Sequence, residues 1–254
     1  MIEIFILSFI QGVTEFLPVS SSSHLIILSN YINFENQSLS IDVSLHIGSF
    51  LAVITFFRND IIDFIKNKEL FLKIIVSSLP VMIIGFFLVK SNLIEKLRNI
   101  EVIGWTTLIF GIILYISDKY KIKKTISKDF NFFSAIVIGL FQILSLIPGV
   151  SRSGITITAA RFLNFKRYDA SKISFLLSIP TLGAVSIFGI KNIVFSESTE
   201  FSMLNILSII ISFLFSFITI KFFLKFIQKF SLNLFVFYRL LLGLILISFY
   251  YLQH

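Results

Sequence analysis

The chain has 254 residues, of which 56% are hydrophobic and only 14% charged, and its mean hydropathy is +0.93. A soluble domain averages about 45–50% apolar and about 25% charged, so this composition excludes an ordinary soluble fold. The absence of cysteine excludes disulfides, thiolate catalysis and cysteine metal sites. A net charge of +8 would suit nucleic acid or anionic lipid, but the placement of the charges assigns it to membrane orientation, and no nucleic-acid partner is expected.

Apolar runs such as Ile100–Ile116 and Phe201–Ile220 are long enough, or nearly so, to cross a bilayer core of roughly 30 Å. Met1–Ile10 carries Glu3 and no basic flank, so no cleavable leader is expected. Residues 1–17 read as an apolar helix that Pro18 stops at or before Leu17. Ser20–Ser23 then supply N-caps for a short second helix through His24–Ser29. Neither arm is long enough to cross alone, and the pair fits a re-entrant hairpin. A polar loop, Asn30–Ser40, precedes three fuller spans at Ile41–Phe57, Leu70–Val89 and Ile100–Ser117. Phe130–Leu146 and Ile155–Leu163 form a second pair of arms, broken at Pro148-Gly149. Spans at Ser171–Ile190, Phe201–Phe223 and Leu232–Leu252 complete the chain. Ser44, Gly48 and Ala52, four apart, mark close helix packing.

The expected architecture is therefore an all-α polytopic membrane protein, with six transmembrane helices and two re-entrant helical hairpins in an inverted internal repeat. One membrane domain covers residues 1–254, with a first repeat over 1–117 and an inverted second repeat over 118–254. Aligning Gln11 with Gln142 brings Val19 onto Val150, Ser20 onto Ser151 and Ser22 onto Ser153 at one offset. Three spans per half is an odd number, which inverts the second half, a recurring plan for membrane sites built on broken helices. The charges agree with this topology. Only Lys90, Lys96, Arg98 and Lys191 fall on the side of the N-terminus, against sixteen basic residues between Arg58 and Lys229 on the other. The positive-inside rule makes the second side cytoplasmic, so the termini and the mouth of the first hairpin face outward.

A charge at membrane depth costs about 2.5–3.5 kcal/mol on insertion scales, so such residues usually line a cavity and carry function. Away from the loops and span ends, Glu15, His24, His46, Arg152 and Arg239 remain, and three of them lie in the two breaks. A bland reading makes Glu15 and Arg152 a structural ion pair, and assigns His46 and Arg239 to packing or interhelical bonding. The sharper reading is a phosphate site. Gln11 and Glu15 share a helix face. The N–H groups after Ser20, Ser21 and Ser151 lie unpaired at helix starts, which attract phosphate. Arg152 adds a planar fork that matches two phosphate oxygens. His24, one turn from Ser20 and Ser21, could act as general base or acid, and a serine so activated could attack phosphorus. Glu15, beside Gln11, could hold a divalent cation such as Mg2+ or Ca2+, or could instead orient His24.

These residues resemble the undecaprenyl-diphosphate phosphatase family, also called bacitracin-resistance proteins. The first family signature matches Gln11, Glu15, Phe16–Ser21 and His24, and the second matches Pro148–Thr156 without a break. Order, spacing and hydropathy agree over essentially the whole chain. The resemblance implies an integral enzyme of the bacterial inner membrane that removes the terminal phosphate of undecaprenyl diphosphate. Its site opens to the outer face and is supported by a divalent metal. It implies Ser21 as nucleophile with His24 as its partner, Glu15 and Gln11 at the acidic-pair positions, and Ser151, Arg152, Ser153 and Thr156 as phosphate ligands. Ser20 and Ser22 are expected beside them. Gln11 replaces a common Glu, and Ser22-Ser23 replaces the commoner Thr-Gly. The expected partners are the polyprenyl diphosphate, the bilayer and a second copy of the chain in a homodimer. The rival class is a transporter or flippase of carrier lipid using the inverted repeat. A lipid phosphatase of the Lys-x6-Arg-Pro type is excluded, because the chain has no Arg-Pro and no histidine between Arg152 and His254.

Overall fold

Polar breaks interrupt what would otherwise be long apolar helices, and the fold is arranged to bring two of them together. The computed structural model describes residues 1–31, 38–66, 68–91, 96–120, 123–195 and 202–253. Lys121, Phe201, His254 and most of the polar loop expected over Asn30–Ser40 lie outside the described residues.

Helix α1 (Ile2–Thr14) ends one turn before Pro18, whose ring disfavours helical geometry at Leu17, and residues 15–19 form a turn. Helix α2 (Ser21–Tyr31) starts directly after it. Helix α3 (Leu39–Phe56) is capped by Ser38, which accepts from the Ile41 N–H. A short helix that the sequence reading did not anticipate, α4 (Arg58–Lys66), follows. Helices α5 (Lys68–Lys90) and α6 (Ile100–Asp118) complete the first half. After the single turn α7 (Ile126–Asp129), α8 (Phe132–Ile143) runs into a 3-10 turn at Leu144–Leu146. Helix α9 (Arg152–Phe162) leaves the second break, and α10 (Arg167–Phe195), α11 (Met203–Lys229) and α12 (Asn233–Gln253) follow. Among the described residues there is no strand beyond one isolated bridge, Lys124 with Phe165.

Among the described residues, six helices, α3, α5, α6, α10, α11 and α12, are long and apolar enough to cross a membrane, while α1 and α8 are shorter apolar helices. Pro80 and Pro180 sit inside α5 and α10 without ending them, as membrane helices allow when neighbours re-satisfy the freed backbone groups. Phe87, Ile187, Phe222 and Phe237 are exposed on the outer faces, where lipid chains would meet them.

Lipid tails are as apolar as leucine, so close packing and interhelical hydrogen bonds hold such helices together. The α3–α11 seam shows both. Ser44 receives a hydrogen bond from Asn205 Nδ2 at 3.0 Å, Ser212 donates to the Leu45 carbonyl at 2.8 Å, and Ser216 donates to Ser49 at 3.0 Å. A Cβ at Gly48 would lie 2.5 Å from the Ile209 carbonyl oxygen, so the seam closes only over glycine there. Ser44 and Ala52 are fully buried beside it, as their spacing suggested. Gly48→Leu is expected to pry α3 from α11 and destabilise the protein by about 1–3 kcal/mol or more. Thermal melting in detergent checks this, and an unchanged midpoint would refute it.

At the other end, buried Asp118 gathers the chain that follows the second break. It accepts from Arg167 Nε at 2.7 Å and from the Leu232 N–H at 3.2 Å, and pairs with Arg161 Nε at 3.3 Å. Arg161 is wholly buried and also donates to the Phe165 carbonyl at 2.7 Å. This cluster fixes the far end of α9 against α6 and α12, so the near end is presented to the break from a firm base.

Candidate active site

The two breaks share an unusual backbone feature. Ser20 and Ser151, aligned by the repeat offset, have φ of 75° and 70°, and each immediately precedes a helix start. Left-handed geometry at a non-glycine residue costs on the order of 1–3 kcal/mol and persists only where the surroundings over-determine it. Here the surroundings do so. Ser151 accepts from the Gly154 N–H at 3.1 Å, capping α9, and Ser20 accepts from the Ser23 hydroxyl at 2.9 Å. Gly149, with φ of 93°, leaves no alternative residue, because its Cβ would lie 1.9 Å from Thr106 Oγ1.

Arg239, buried on α12, ties both breaks to one point. Its Nη1 donates to the carbonyls of Pro18 at 3.2 Å and Val150 at 3.1 Å, and its Nη2 donates to Gly149 at 2.9 Å. Its Nε reaches the Thr107 carbonyl on α6 at 3.3 Å. Ser153 adds a direct link by donating to the Leu17 carbonyl at 2.7 Å. These bonds explain why irregular backbone is tolerated here: the carbonyls that the breaks expose are satisfied by protein.

Glu15 is the centre of the polar cluster between the breaks. Its Oε1 accepts from Arg152 Nη2 at 3.0 Å, while its Oε2 accepts from the Ser21 hydroxyl at 2.6 Å and from Gln11 Nε2 at 3.0 Å. Gln11 Nε2 also lies 3.1 Å from His46 Nδ1 on α3. A cavity of about 230 Å³ is walled by Glu15, Ser20, Ser21, Ser22, His46, Gln142, Ser145, Ser151 and Arg152. Glu15 and Arg152 cancel each other's formal charge. The starts of α2 and α9 then leave the cavity with donors and positive helix ends, which favour an anion. An apolar cavity of about 870 Å³ between α3, α5 and α10 adjoins it, and Val81, Leu146, Thr181 and Val185 line both.

Among the described residues no three His, Asp or Glu side chains converge as a metal cage. Gln11 Oε1 is buried without a hydrogen-bond partner among them, beside the Glu15 carboxylate. Gln11 turns Nε2 toward the carboxylate, so these two residues could hold a hard cation that brings most of its ligands with it only with the amide turned to present Oε1.

The structure brings together Gln11, Glu15, Ser20, Ser21, Ser22, Ser151 and Arg152. It does not bring all the expected residues to the cavity wall. Ser153 is committed to the Leu17 carbonyl, and the Thr156 hydroxyl donates to Ser174 Oγ at 2.7 Å and to the Arg152 carbonyl at 2.8 Å. Neither lines the cavity, so both brace the second break where direct phosphate contact was expected. His24 differs as well. Its Nδ1 lies 2.7 Å from the Ser20 carbonyl and its Nε2 pairs with the Tyr238 hydroxyl on α12. The group that accepts from the Ser21 hydroxyl is the Glu15 carboxylate and not His24, which α2 turns toward α12. The Glu15–Arg152 ion pair of the bland reading is present, and it forms part of the cavity wall.

His46 makes the interhelical bond expected of it and also faces the cavity. Arg239 likewise makes the interhelical bonding expected of it, whereas Ser145, Thr181 and Tyr238 carried no local signal. Gln142 had one, its alignment with Gln11.

Fold and site together define a helical membrane protein whose two broken segments meet at a serine–carboxylate–arginine cavity. The chain belongs to the family described as bacitracin resistance protein BacA, whose model matches residues 4–245. It is 52% identical over 247 residues to an undecaprenyl-diphosphatase of Pelagibacter ubique, covering 97% of this chain and 96% of that one. It is 41% identical to an undecaprenyl-diphosphatase of Saccharophagus degradans, with 93% of each chain covered. A Jannaschia protein of the same name is 38% identical over 97% of both chains.

Proposed function

We infer that this protein is an undecaprenyl-diphosphate phosphatase. It hydrolyses the terminal phosphate of undecaprenyl diphosphate and returns undecaprenyl phosphate to peptidoglycan and cell-wall polymer synthesis, with bacitracin resistance as the family trait. The observation that carries the reading is the Ser21–Glu15–Arg152 cluster, in a donor-rich cavity that adjoins an apolar one large enough for part of a prenyl chain.

In the mechanism that this geometry supports, the diphosphate enters the polar cavity and draws the Arg152 fork onto its oxygens. Glu15, losing its cationic partner, becomes the stronger base. It takes the Ser21 proton as Ser21 Oγ attacks the terminal phosphorus. The bridging P–O bond breaks, undecaprenyl phosphate leaves with the proton that Glu15 took, and the phosphoryl group stays on Ser21 Oγ. Glu15, a carboxylate again, then deprotonates water, which attacks that phosphorus; the P–O bond to Ser21 breaks, inorganic phosphate leaves and Ser21 Oγ takes the proton back from Glu15. Arg152 and the N–H groups at the starts of α2 and α9 hold the charge that develops on the equatorial oxygens. His24, through the Ser20 carbonyl and Tyr238, positions the turn that carries Ser21. A divalent cation, Mg2+ or Ca2+, would be held by Glu15 and Gln11 Oε1 together with phosphate oxygens, and would supply charge neutralisation.

The segments α1–α2 and α8–α9 are proposed as re-entrant hairpins of an inverted repeat. Supporting this, α1 packs on α11 through Gly12, whose Cβ would lie 2.6 Å from Phe215 Cβ, while α8 packs on α5 through Gly139, whose Cβ would lie 2.5 Å from the Ser77 carbonyl oxygen. Exchanging the halves maps one pairing onto the other. Location in the bacterial inner membrane with the site open to the outer face rests on the basic residues gathered on the opposite side. Assembly as a homodimer belongs to the same proposal and rests on the sequence reading alone.

The test is phosphate release from undecaprenyl diphosphate by the purified protein, with and without chelator. Release that chelator stops and Mg2+ or Ca2+ restores is the expected result. Movement of carrier lipid across vesicles without phosphate release would replace the enzyme with the transporter.

A further inference from the structure

Gln142 is the counterpart of Gln11 across the repeat, and it is fully buried on α8. Neither its Nε2 nor its Oε1 has a hydrogen-bond partner among the described residues, although the side chain belongs to the wall of the polar cavity. A buried amide with both ends unsatisfied is destabilising, and leucine would serve better if the position were structural alone. Its placement says what would satisfy it. Leu146, one turn further along, lines both the polar and the apolar cavity, and Ser145 lies between them in sequence. Gln142, Ser145, Ser20, Ser21, Ser22 and Arg152 all line the polar cavity only, and of these Gln142 and Ser145 stand within one turn of Leu146 on its own segment. A prenyl diphosphate with its chain in the apolar cavity therefore passes Leu146 first and reaches Ser21 and Arg152 last.

We propose that Gln142, with Ser145, binds the phosphate that carries the prenyl chain, so that the phosphate to be removed is delivered to Ser21. This rests on the phosphatase reading for the identity of the ligand. Gln142 Nε2 donates to an oxygen of the chain-linked phosphate, the group that remains on the lipid after the reaction. The product, undecaprenyl phosphate, consequently keeps this contact, and Gln142 sets how tightly both substrate and product are held.

The experiment compares wild type with Gln142→Leu and the near-isosteric Gln142→Met, in detergent. It reads direct binding of undecaprenyl phosphate, steady-state phosphate release and thermal melting. Both variants are expected to melt at or above the wild-type temperature, because a buried unpaired amide is gone. Binding of undecaprenyl phosphate is expected to weaken by about 10- to 100-fold, the scale of one hydrogen bond to a charged group. KM for undecaprenyl diphosphate rises by a similar factor while kcat stays within about threefold. Unchanged product binding in a variant that folds overturns the proposal, as does a fall in kcat at unchanged KM. If Gln142→Leu fails to fold, Gln142→Met supplies the same readings, and collapse of both variants makes the residue structural and also overturns it. Binding needs no turnover. A wild type that binds undecaprenyl phosphate through Gln142 but releases no phosphate from the diphosphate would overturn the phosphatase reading and leave this inference standing.

Discussion

Arg152→Ala is expected to lower kcat/KM for undecaprenyl diphosphate by about 10³-fold or more, well beyond what loss of one ordinary phosphate contact would do. Loss of one preorganised donor to developing charge typically costs about 10²–10³ in rate. Arg152 has a second part in this site, because its Nη2 sits on Glu15 Oε1 at 3.0 Å and both side chains are largely buried. Removing it leaves an uncompensated carboxylate next to the place where an anionic substrate must bind. Such a residual charge repels phosphate and is costly in its own right. Arg152→Lys separates the two effects. It restores a positive charge but not the planar fork, so substrate affinity should return in part while the rate remains about 10²-fold low. Melting curves for both variants establish that the comparison is made on folded protein. Near-normal turnover by Arg152→Ala would remove the arginine from the site.

The second large effect is expected at Ser21. Ser21→Ala should abolish phosphate release, with a loss on the order of 10⁴-fold or greater if Ser21 Oγ forms the bond to phosphorus. Alanine at Ser22, whose hydroxyl lies 3.2 Å from Ser20 Oγ and not on Glu15, should cost about tenfold or less. Glu15→Gln should resemble Ser21→Ala, since the 2.6 Å contact makes nucleophile and base one unit. The double variant is then no worse than either single one, the non-additivity expected of residues that act together. Rapid-quench labelling with substrate carrying ³²P in its terminal phosphate would trap the phosphoserine in wild type but not in Ser21→Ala. If water attacks directly, no label is trapped and Ser21→Ala loses only about 10²-fold, the share of a binding hydroxyl.

Much of the architecture could be read from local chemistry. Pro18 and Pro148-Gly149 mark their breaks because proline and glycine act on their immediate neighbours, and α3, α5, α6, α10 and α12 fall within a few residues of the apolar runs that define them. The repeat offset found Ser20 and Ser151, which turned out to share left-handed backbone. Helix α4 was missed because Arg58–Lys66 is too short and too charged to register as a span, although it is helical. The site was legible as a set of residue types but not as a set of pairings. Ser21 and Glu15 are six residues apart across a bend, and only the angle of that bend decides that the hydroxyl meets the carboxylate and not His24. Ser153 and Thr156 have the right chemistry for phosphate, yet the carbonyl of Leu17 and the hydroxyl of Ser174 reach them first. His46 joins the cavity through Gln11 on another helix, a contact that no local pattern announces.

Arg239 bears on how the protein can move. One guanidinium holds carbonyls from both breaks, and another from α6, at the point where the two halves of the chain meet. A rocker-switch carrier needs a yielding seam there, so that one half can swing over the other and expose its cargo to the opposite side. In this protein the seam is stapled, and swinging would strip several carbonyls at once from a buried cation. The apolar cavity lies outside this clamp, walled mainly by α5 and α10 without Arg239, so a lipid chain filling it need not disturb the carbonyls held at the two breaks.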